Sequence, residues 1–190
     1  MQVDFAVELG RDDETLDFPW VGPETRYYDL KRNPQALDQV EEAFGNKALR
    51  DFLLTVNSPA SILESAKCDT WVTDEINPEE EIFGARWKFG SYVDFLFTSP
   101  AARASFKHHE RLVTELTELL QRVPEIPASA EFLLRRCYYH NQETADDGFY
   151  VTFYLFGYGE DEAKARCQWE IALQLVGKVV IQVSSRHSSL

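Results

Sequence analysis

The sequence has few cysteines, and their spacing is unlike that of a disulfide scaffold. Cys68, Cys137 and Cys167 are far apart, odd in number and form no CxxC pair. Secreted disulfide frameworks normally carry an even number of closely spaced cysteines. Each cysteine stands beside bulky apolar residues, which is typical of a small hydrophobe in a core. We therefore expect a reducing cytoplasm as the location, and neither a metal centre nor a cofactor.

Long apolar runs are also missing. Asp4 and Glu8 interrupt the stretch that would have to be the apolar part of a signal peptide, and no run approaches the length of a membrane span. This pattern predicts a protein that is neither exported through such a signal nor inserted into a membrane.

Positive charge is scarce. The chain has 19 Lys and Arg against 32 Asp and Glu, a formal net charge of −13, and the acidic residues are spread along its length. A field of this sign repels phosphate backbones and anionic lipid surfaces. Nucleic acid and membranes are therefore excluded as expected partners. The charge favours solubility first and a basic protein partner second.

Apolar and aromatic residues are abundant enough for a core. The chain of 190 residues is 44% hydrophobic and has 13 Phe, 8 Tyr and 4 Trp. This length and composition predict one domain over residues 1–190. Within it, residues 1–33 read as a strand followed by an irregular acidic segment, and residues 184–190 read as a frayed tail.

Strands are predicted wherever apolar and polar residues alternate. The runs around 131–140 and 149–158 are joined by a turn that contains Asp147 and Gly148, so they read as a hairpin. The full set of predicted strands is 3–9, 68–74, 83–89, 92–98, 131–140, 149–158 and 179–183.

Helix starts are predicted at three polar residues followed by proline, because proline is tolerated at the first helical position. These pairs are Asn33-Pro34, Ser58-Pro59 and Ser99-Pro100. A fourth helix is expected to begin near Glu160 and to end at Gly177. The mixed order of elements predicts an α+β fold: a mainly antiparallel sheet with helices packed on one face, in a single domain.

Two short segments resemble each other, which raises the question of an internal duplication. Residues 51–60 and 94–101 share an Asp-Phe-Leu start and a Ser-Pro-Ala end. Their first halves read as a helix and a strand respectively, and the residues beyond them diverge. The comparison therefore favours chance over a repeat.

The motifs that could carry chemistry are incomplete. The glycines at Gly157 and Gly159 precede acidic residues, which would repel a dinucleotide pyrophosphate. His108 and His109 are adjacent on a helix and cannot chelate together as residues four apart do. Cys137 and His140 are three apart on a strand and face opposite sides. No catalytic residue is assigned on this basis, and no motif resembles that of a known family.

The sheet face turned away from the helices is the most informative feature. Tyrosine alternates along 149–158, and a neighbouring strand and the hairpin partner would add a carboxylate and an arginine, residue types enriched where proteins bind. This face could be covered by Trp20, Tyr27, Tyr28 and Trp87, form a dimer or hold a ligand. The candidate binding or interface residues are Tyr92, Asp94, Arg135, Arg136, His140, Tyr150, Tyr154 and Tyr158.

Three functions are compatible with these residues. The first, which the charge favours, is a non-catalytic protein-interaction module, such as an acidic inhibitor, immunity-type protein or regulator of a basic protein. The second is a small-molecule-binding domain that uses the Tyr and Arg sheet face. The third is an enzyme with His140 as general base, because histidine titrates near neutrality. The sequence does not name the ligand, the partner or the oligomeric state.

Overall fold

The fold is built on one mixed sheet. The computed structural model describes residues 1–20, 26–141 and 144–187, and in that part of the chain six strands form the order β1-β5-β6-β4-β3, with β2 also pairing with β5. Both β1 and β2 run parallel to β5, while all other pairs are antiparallel. The strands are β1 (Gln2–Glu8), β2 (Thr15–Phe18), β3 (Leu63–Thr73), β4 (Trp87–Phe97), β5 (Ala128–His140) and β6 (Ala145–Gly159).

Three of the α-helices cover one face of this sheet, which confirms the predicted α+β fold class. They are α1 (Lys47–Val56), α3 (Phe106–Leu120) and α4 (Glu162–His187), and a single turn, α2 (Pro100–Arg103), precedes α3. Short 3-10 helices span Pro34–Gln39, Glu41–Ala43 and Pro78–Phe83. None of the helices in the described residues is both long enough and apolar enough to cross a membrane.

Side chains that cap helices, rather than the Xaa-Pro pairs alone, set the helix starts. The Asn46 side chain accepts a hydrogen bond from the Leu49 backbone at 3.2 Å, and Ser105 caps α3 in the same way at 3.3 Å. The start predicted at Ser58-Pro59 is wrong: α1 ends at Val56, and a turn leads directly into β3. Of the two similar segments, 51–56 is helical and 94–97 is strand, so they do not share a structure.

The last strand predicted, at 179–183, is wrong. Helix α4 continues through Gly177 to His187, and Val176, Val180 and Val183 are buried at helical spacing. A short β-branched run can be a buried strand or a buried helix segment, and its periodicity does not separate the two. The helix also includes Ser184, which is buried, so the predicted tail is helical up to His187; residues 188–190 lie outside the described part.

Helix α4 packs closely on β6, and this contact fixes the position of the helix against the sheet. A Cβ atom on Gly157 would lie 2.2 Å from the backbone nitrogen of Trp169, so only glycine fits there. The Trp169 indole then donates a hydrogen bond of 2.8 Å to the Ser91 hydroxyl on β4. The strands therefore present one face to the helices, and their alternate residues form a second face on the far side.

Candidate functional site

The second face of the sheet, here called the tyrosine face, gathers most of the predicted site residues. Register pairs Tyr92 with Tyr154, Asp94 with Thr152, and Arg135 with Tyr150. Side chains of alternate residues point to the same side of a strand, so these pairs share one face. Of the predicted residues, Tyr92, Asp94, Arg135, Tyr150, Tyr154 and Tyr158 lie on it.

Arg136 and His140 do not belong to this group. Arg136 follows Arg135 on β5 and points to the other side, where its Nε donates a hydrogen bond of 3.2 Å to the Leu9 carbonyl. The Nε2 atom of His140 lies 2.7 Å from Oδ1 of Asp17 at the exposed end of the same strand. A role for His140 as a general base would therefore have to operate away from the tyrosine face.

One end of the tyrosine face is covered by the N-terminal segment. The Phe18 ring packs edge-on against Tyr27 at 4.7 Å and against Tyr139 at 6.0 Å. Together with Leu16 these rings bury Tyr150, which is only 1% exposed. Residues 21–25 of the same segment lie outside the described part of the chain.

Of the four aromatic residues expected to cover this face, only two do so. Trp20 packs edge-on against Tyr27 at 5.6 Å, and both lie on the tyrosine face. Tyr28 and Trp87, by contrast, pack against the core beneath the helices. Cover from the N-terminal segment is therefore real but confined to one end of the face.

The opposite end is covered by the 3-10 helix Pro78–Phe83. The Phe83 ring stacks on Tyr158 with centroids 4.2 Å apart and an interplanar angle of 9°. Glu80 accepts hydrogen bonds from the Tyr158 hydroxyl at 2.7 Å and from Nζ of Lys88 at 2.9 Å. Both Tyr150 and Tyr158 are thus committed to internal contacts.

Between the two covers, one row of side chains stays half-buried or exposed across four strands. We call it the acidic row: Asp69 pairs with Tyr92, Tyr92 with Tyr154, and Tyr154 with Glu131. The two tyrosine rings lie 5.9 Å apart, and Asp69 and Glu131 at the ends are exposed. Aromatic rings flanked by carboxylates favour a cation, because the ring faces and the carboxylates both carry negative charge.

Two further aromatic residues, Phe156 and Trp71, lie beside the tyrosines of the acidic row. Phe156 lies beside Tyr154 with the rings nearly parallel at 6.4 Å, and Trp71 packs edge-on against Phe156 at 5.8 Å. Trp71 reaches this position because Gly90 leaves room for it: a Cβ on Gly90 would lie 2.6 Å from the indole. Aromatic rings therefore follow one another from Trp71 to Tyr154, and the Lys88 ammonium lies 5.3 Å from the Phe156 ring.

The electrostatics of the acidic row are dominated by carboxylates. Partial burial raises the pKa of Glu131, and the nearby carboxylates of Glu8 and Asp4 raise that pKa further. Arg135 neutralises part of this charge: its guanidinium lies 2.7 Å from Glu8 and 2.9 Å from Glu14. Because Arg135 already holds these carboxylates, it is poorly placed to bind an external anion.

Asp94 lies under the same face as a buried carboxyl group. It is 3% exposed, and burial raises its pKa to about 7 despite a hydrogen bond of 2.8 Å donated by Thr152. The neighbouring edge strand β3 has a bulge opposite it, since the register shifts between Ser65 and Cys68. A bulge redirects side chains locally, and this one brings Lys67 to the tyrosine face, where its Nζ lies 5.4 Å from the Trp20 ring.

The two cysteine thiols near this face are largely protonated at neutral pH. Burial raises the pKa of the Cys68 and Cys137 thiols to about 12, so neither is a thiolate near neutral pH. The two thiols are therefore not activated as nucleophiles. His109 is buried in the helix layer, where burial lowers its pKa to about 4. Among the described residues no group of three or more His, Cys, Asp and Glu side chains is arranged to hold a metal ion.

Sequence reasoning overlooked the outer members of the site. The predicted hairpin left open whether Arg135 or Arg136 faces the tyrosines, so only the observed register places Glu131, which has the parity of Arg135, on the tyrosine face. Asp69 could be assigned to the row only from the register of β3 against β4, and that register depends on the bulge. Trp71 also required the observation that Gly90 lies beneath it.

No protein-family model matches the chain, and neither a curated protein nor a solved structure matches it. A functional proposal for this protein therefore depends on the geometry of the site.

Proposed function

We propose that this protein is a non-catalytic binding module that receives a basic segment of a protein partner on the tyrosine face. The observation that carries the proposal is the acidic row, in which Tyr92 and Tyr154 lie side by side between the carboxylates of Asp69 and Glu131. Lysine and arginine bind aromatic faces by cation–π attraction, and the carboxylates steer them there.

The width of the row favours a peptide segment over a single small cation. Asp69 and Glu131 lie on strands that are three positions apart in the sheet, which is roughly 14 Å at ~4.8 Å per strand. One ammonium group cannot contact both ends of such a row. An extended segment places alternate side chains on one side, so basic residues four positions apart are spaced by about 14 Å and reach both ends.

The alternatives on the same face are weaker. Of the cations on the tyrosine face, Arg135 is already held by Glu8, Glu14 and Thr152, so an anionic ligand would have to use Lys67, which lies over the Trp20 ring. A second copy of the chain would bring its own acidic row, and like charges facing one another oppose such pairing. Binding of a basic partner is consistent with both observations.

The test uses a labelled ten-residue peptide with two arginines four positions apart in a Gly and Ser background. We expect saturable binding by fluorescence anisotropy, weakened by added salt, and no binding of the peptide in which glutamine replaces both arginines. Tyr154→Ala should weaken binding by about tenfold and Glu131→Gln by about threefold, as expected for a cation–π contact and a rim charge.

The matched control is Glu118→Gln, which removes an equal charge from an exposed position on α3, on the opposite side of the sheet. This variant should bind as the parent does. Equal loss in Glu118→Gln and Glu131→Gln would show that only net charge matters and would overturn the proposed site. Binding that is unchanged in Tyr154→Ala would do the same.

A further inference from the structure

A cavity of about 360 Å³ lies beside the edge strand β3, next to the tyrosine face. Its apolar lining includes the buried side chains Leu30, Val40 and Leu53, which come from three separate segments of the chain. Its aromatic lining consists of Trp20, Tyr28 and Tyr92. A volume in this range suits a compact ligand, since small-molecule sites begin at roughly 300 Å³.

Charged side chains of both signs also line this cavity. Arg26 lies over the Tyr28 ring at 5.7 Å, and Lys67 lies over the Trp20 ring at 5.4 Å. No ion pair joins either cation to a carboxylate within the described ranges. Glu41 and Glu42 of the 3-10 helix Glu41–Ala43 also line this cavity, and the Glu42 carboxylate is close enough to Cys68 to raise the pKa of its thiol. The cavity thus offers cations and anions on different elements around an apolar interior.

The adjoining edge of the sheet is poorly suited to adding a strand. The bulge in β3 falls at Ala66 and Lys67, and both residues line the cavity. Bulges and lysines on an edge strand are devices that oppose pairing with another strand. The cavity is therefore better matched to a compact molecule than to an extended chain.

The thiol in the cavity does not indicate a reaction there. Burial raises the pKa of Cys68 to about 12, and the carboxylates of Glu42 and Asp69 act in the same direction. A neutral thiol is a weak nucleophile. The chemistry of the lining is that of a binding site with an apolar interior and a mixed-charge rim.

We propose that this cavity binds a free α-amino acid with a bulky apolar side chain. Its carboxylate would pair with Arg26 and Lys67, its ammonium group with Glu41 and Glu42, and its side chain would fill the apolar interior. Each charge of the zwitterion then meets the opposite charge, and no charged group of the ligand has to be buried unpaired. This site is separate from the proposed partner surface, although Tyr92 contributes to both.

The probes are L-tryptophan, tryptamine, which lacks the carboxylate, and indole-3-propionate, which lacks the ammonium group. By isothermal titration calorimetry we expect L-tryptophan to bind at least about tenfold more tightly than either analogue, since each lost charge pair costs a charge-assisted hydrogen bond. Lys67→Met should weaken L-tryptophan but leave tryptamine unchanged. Glu42→Gln should weaken L-tryptophan but leave indole-3-propionate unchanged.

The control is Lys178→Met, an exposed residue in a separate groove between α1 and α4, which should bind L-tryptophan as the parent does. Lys67 and Glu42 are both exposed, so their variants should keep the parent melting temperature. Equal affinities for the three probes would overturn the proposal, and so would a failure of L-tryptophan to bind at millimolar concentration. Glu131→Gln should not affect L-tryptophan, so this site and the peptide site can fail independently.

Discussion

The hydroxyl of Thr152 donates a hydrogen bond of 2.8 Å to Oδ1 of Asp94 and accepts one of 3.2 Å from the guanidinium of Arg135. The threonine thereby links a buried carboxyl group to a cation that does not contact it directly. Glu8 and Glu14 compete for the same guanidinium. This leaves Asp94 with too little compensation for its burial, which is why its pKa rises to about 7.

Asp94 should make the protein less stable as the pH rises. An aspartate in the unfolded chain loses its proton at a pKa near 3.8, whereas burial holds the pKa of Asp94 in the folded state at about 7. The folded state therefore binds more protons over this interval, and the free energy of unfolding falls with increasing pH until it levels off above pH 7. From pH 5 to pH 8, we expect a loss on the order of 2 kcal/mol from this group.

Asp94→Asn isolates that contribution, because the amide keeps the acceptor for Thr152 and removes the titration. Urea unfolding should show the variant gaining stability over the parent between pH 5 and pH 8. Asp12→Asn, an exposed residue that loses the same charge, should track the parent. A constant difference between Asp94→Asn and the parent over this pH range would contradict the assignment.

Arg103 should be among the most important side chains for stability. Its guanidinium lies 5.5 Å from the Phe18 ring and 4.9 Å from the Tyr139 ring, its Nε donates to the Phe97 carbonyl, and it pairs with the buried Glu64. Arg103→Met leaves Glu64 buried without its partner, which should cost about 3 kcal/mol in the free energy of unfolding.

Two controls compare the buried ion pair of Arg103 and Glu64 with an exposed ion pair. Lys47→Met removes an exposed pair with Asp51 and should cost less than about 0.5 kcal/mol. Adding Glu64→Gln to Arg103→Met should recover part of the loss, because the unpaired charge is then gone. An Arg103→Met variant as stable as Lys47→Met in urea would show that the buried pair contributes little.

Lys31 attaches the N-terminal segment to the start of β3. Its Nζ donates hydrogen bonds to the backbone carbonyls of Ser58, Ser61 and Leu63 at 2.8, 2.7 and 2.9 Å. Lys31→Met leaves these carbonyls without their donor, and we expect a loss of about 3 kcal/mol by chemical denaturation. The neighbouring Arg32→Met, whose side chain is 89% exposed, should be nearly neutral. A neutral Lys31→Met would contradict this role.

Substitution by alanine should change stability in opposite directions at Gly157 on β6 and at Gly177 within α4. Gly157→Ala would place Cβ 2.2 Å from the Trp169 backbone nitrogen and should destabilise the protein by about 2 kcal/mol or more. In Gly177→Ala, Cβ meets Phe52 at an ordinary 3.5 Å, and the gain in helix propensity should stabilise it by up to about 1 kcal/mol. Thermal melting distinguishes the two, and shifts of the same sign would disprove the packing argument.

Much of the architecture could be predicted from local patterns, since alternation and helical spacing are read over a few residues. The stripe of α3, the tyrosine side of β6 and the pairing of β5 with β6 followed from such patterns. The turn expected at Asp147 and Gly148 is wrong, because both residues lie within β6 and pair with Tyr138 and Cys137. The errors arose where a local pattern has two solutions. Val179–Val183 suits a buried strand or a buried helix, and the packing of α4 along the sheet chose the helix.

The candidate site, too, was predictable only where a local pattern determines it. The sequence by itself indicated that the tyrosines would share a face with Asp94 and with either Arg135 or Arg136, because strand parity follows from the backbone pleat. The observed register selects Arg135. Only the tertiary structure decided which tyrosines remain accessible, because Phe18 and Phe83 come from distant segments to cover Tyr150 and Tyr158. The acidic row likewise depends on register and a bulge across four strands, and contacts between strands far apart in the chain leave no short-range pattern in the sequence.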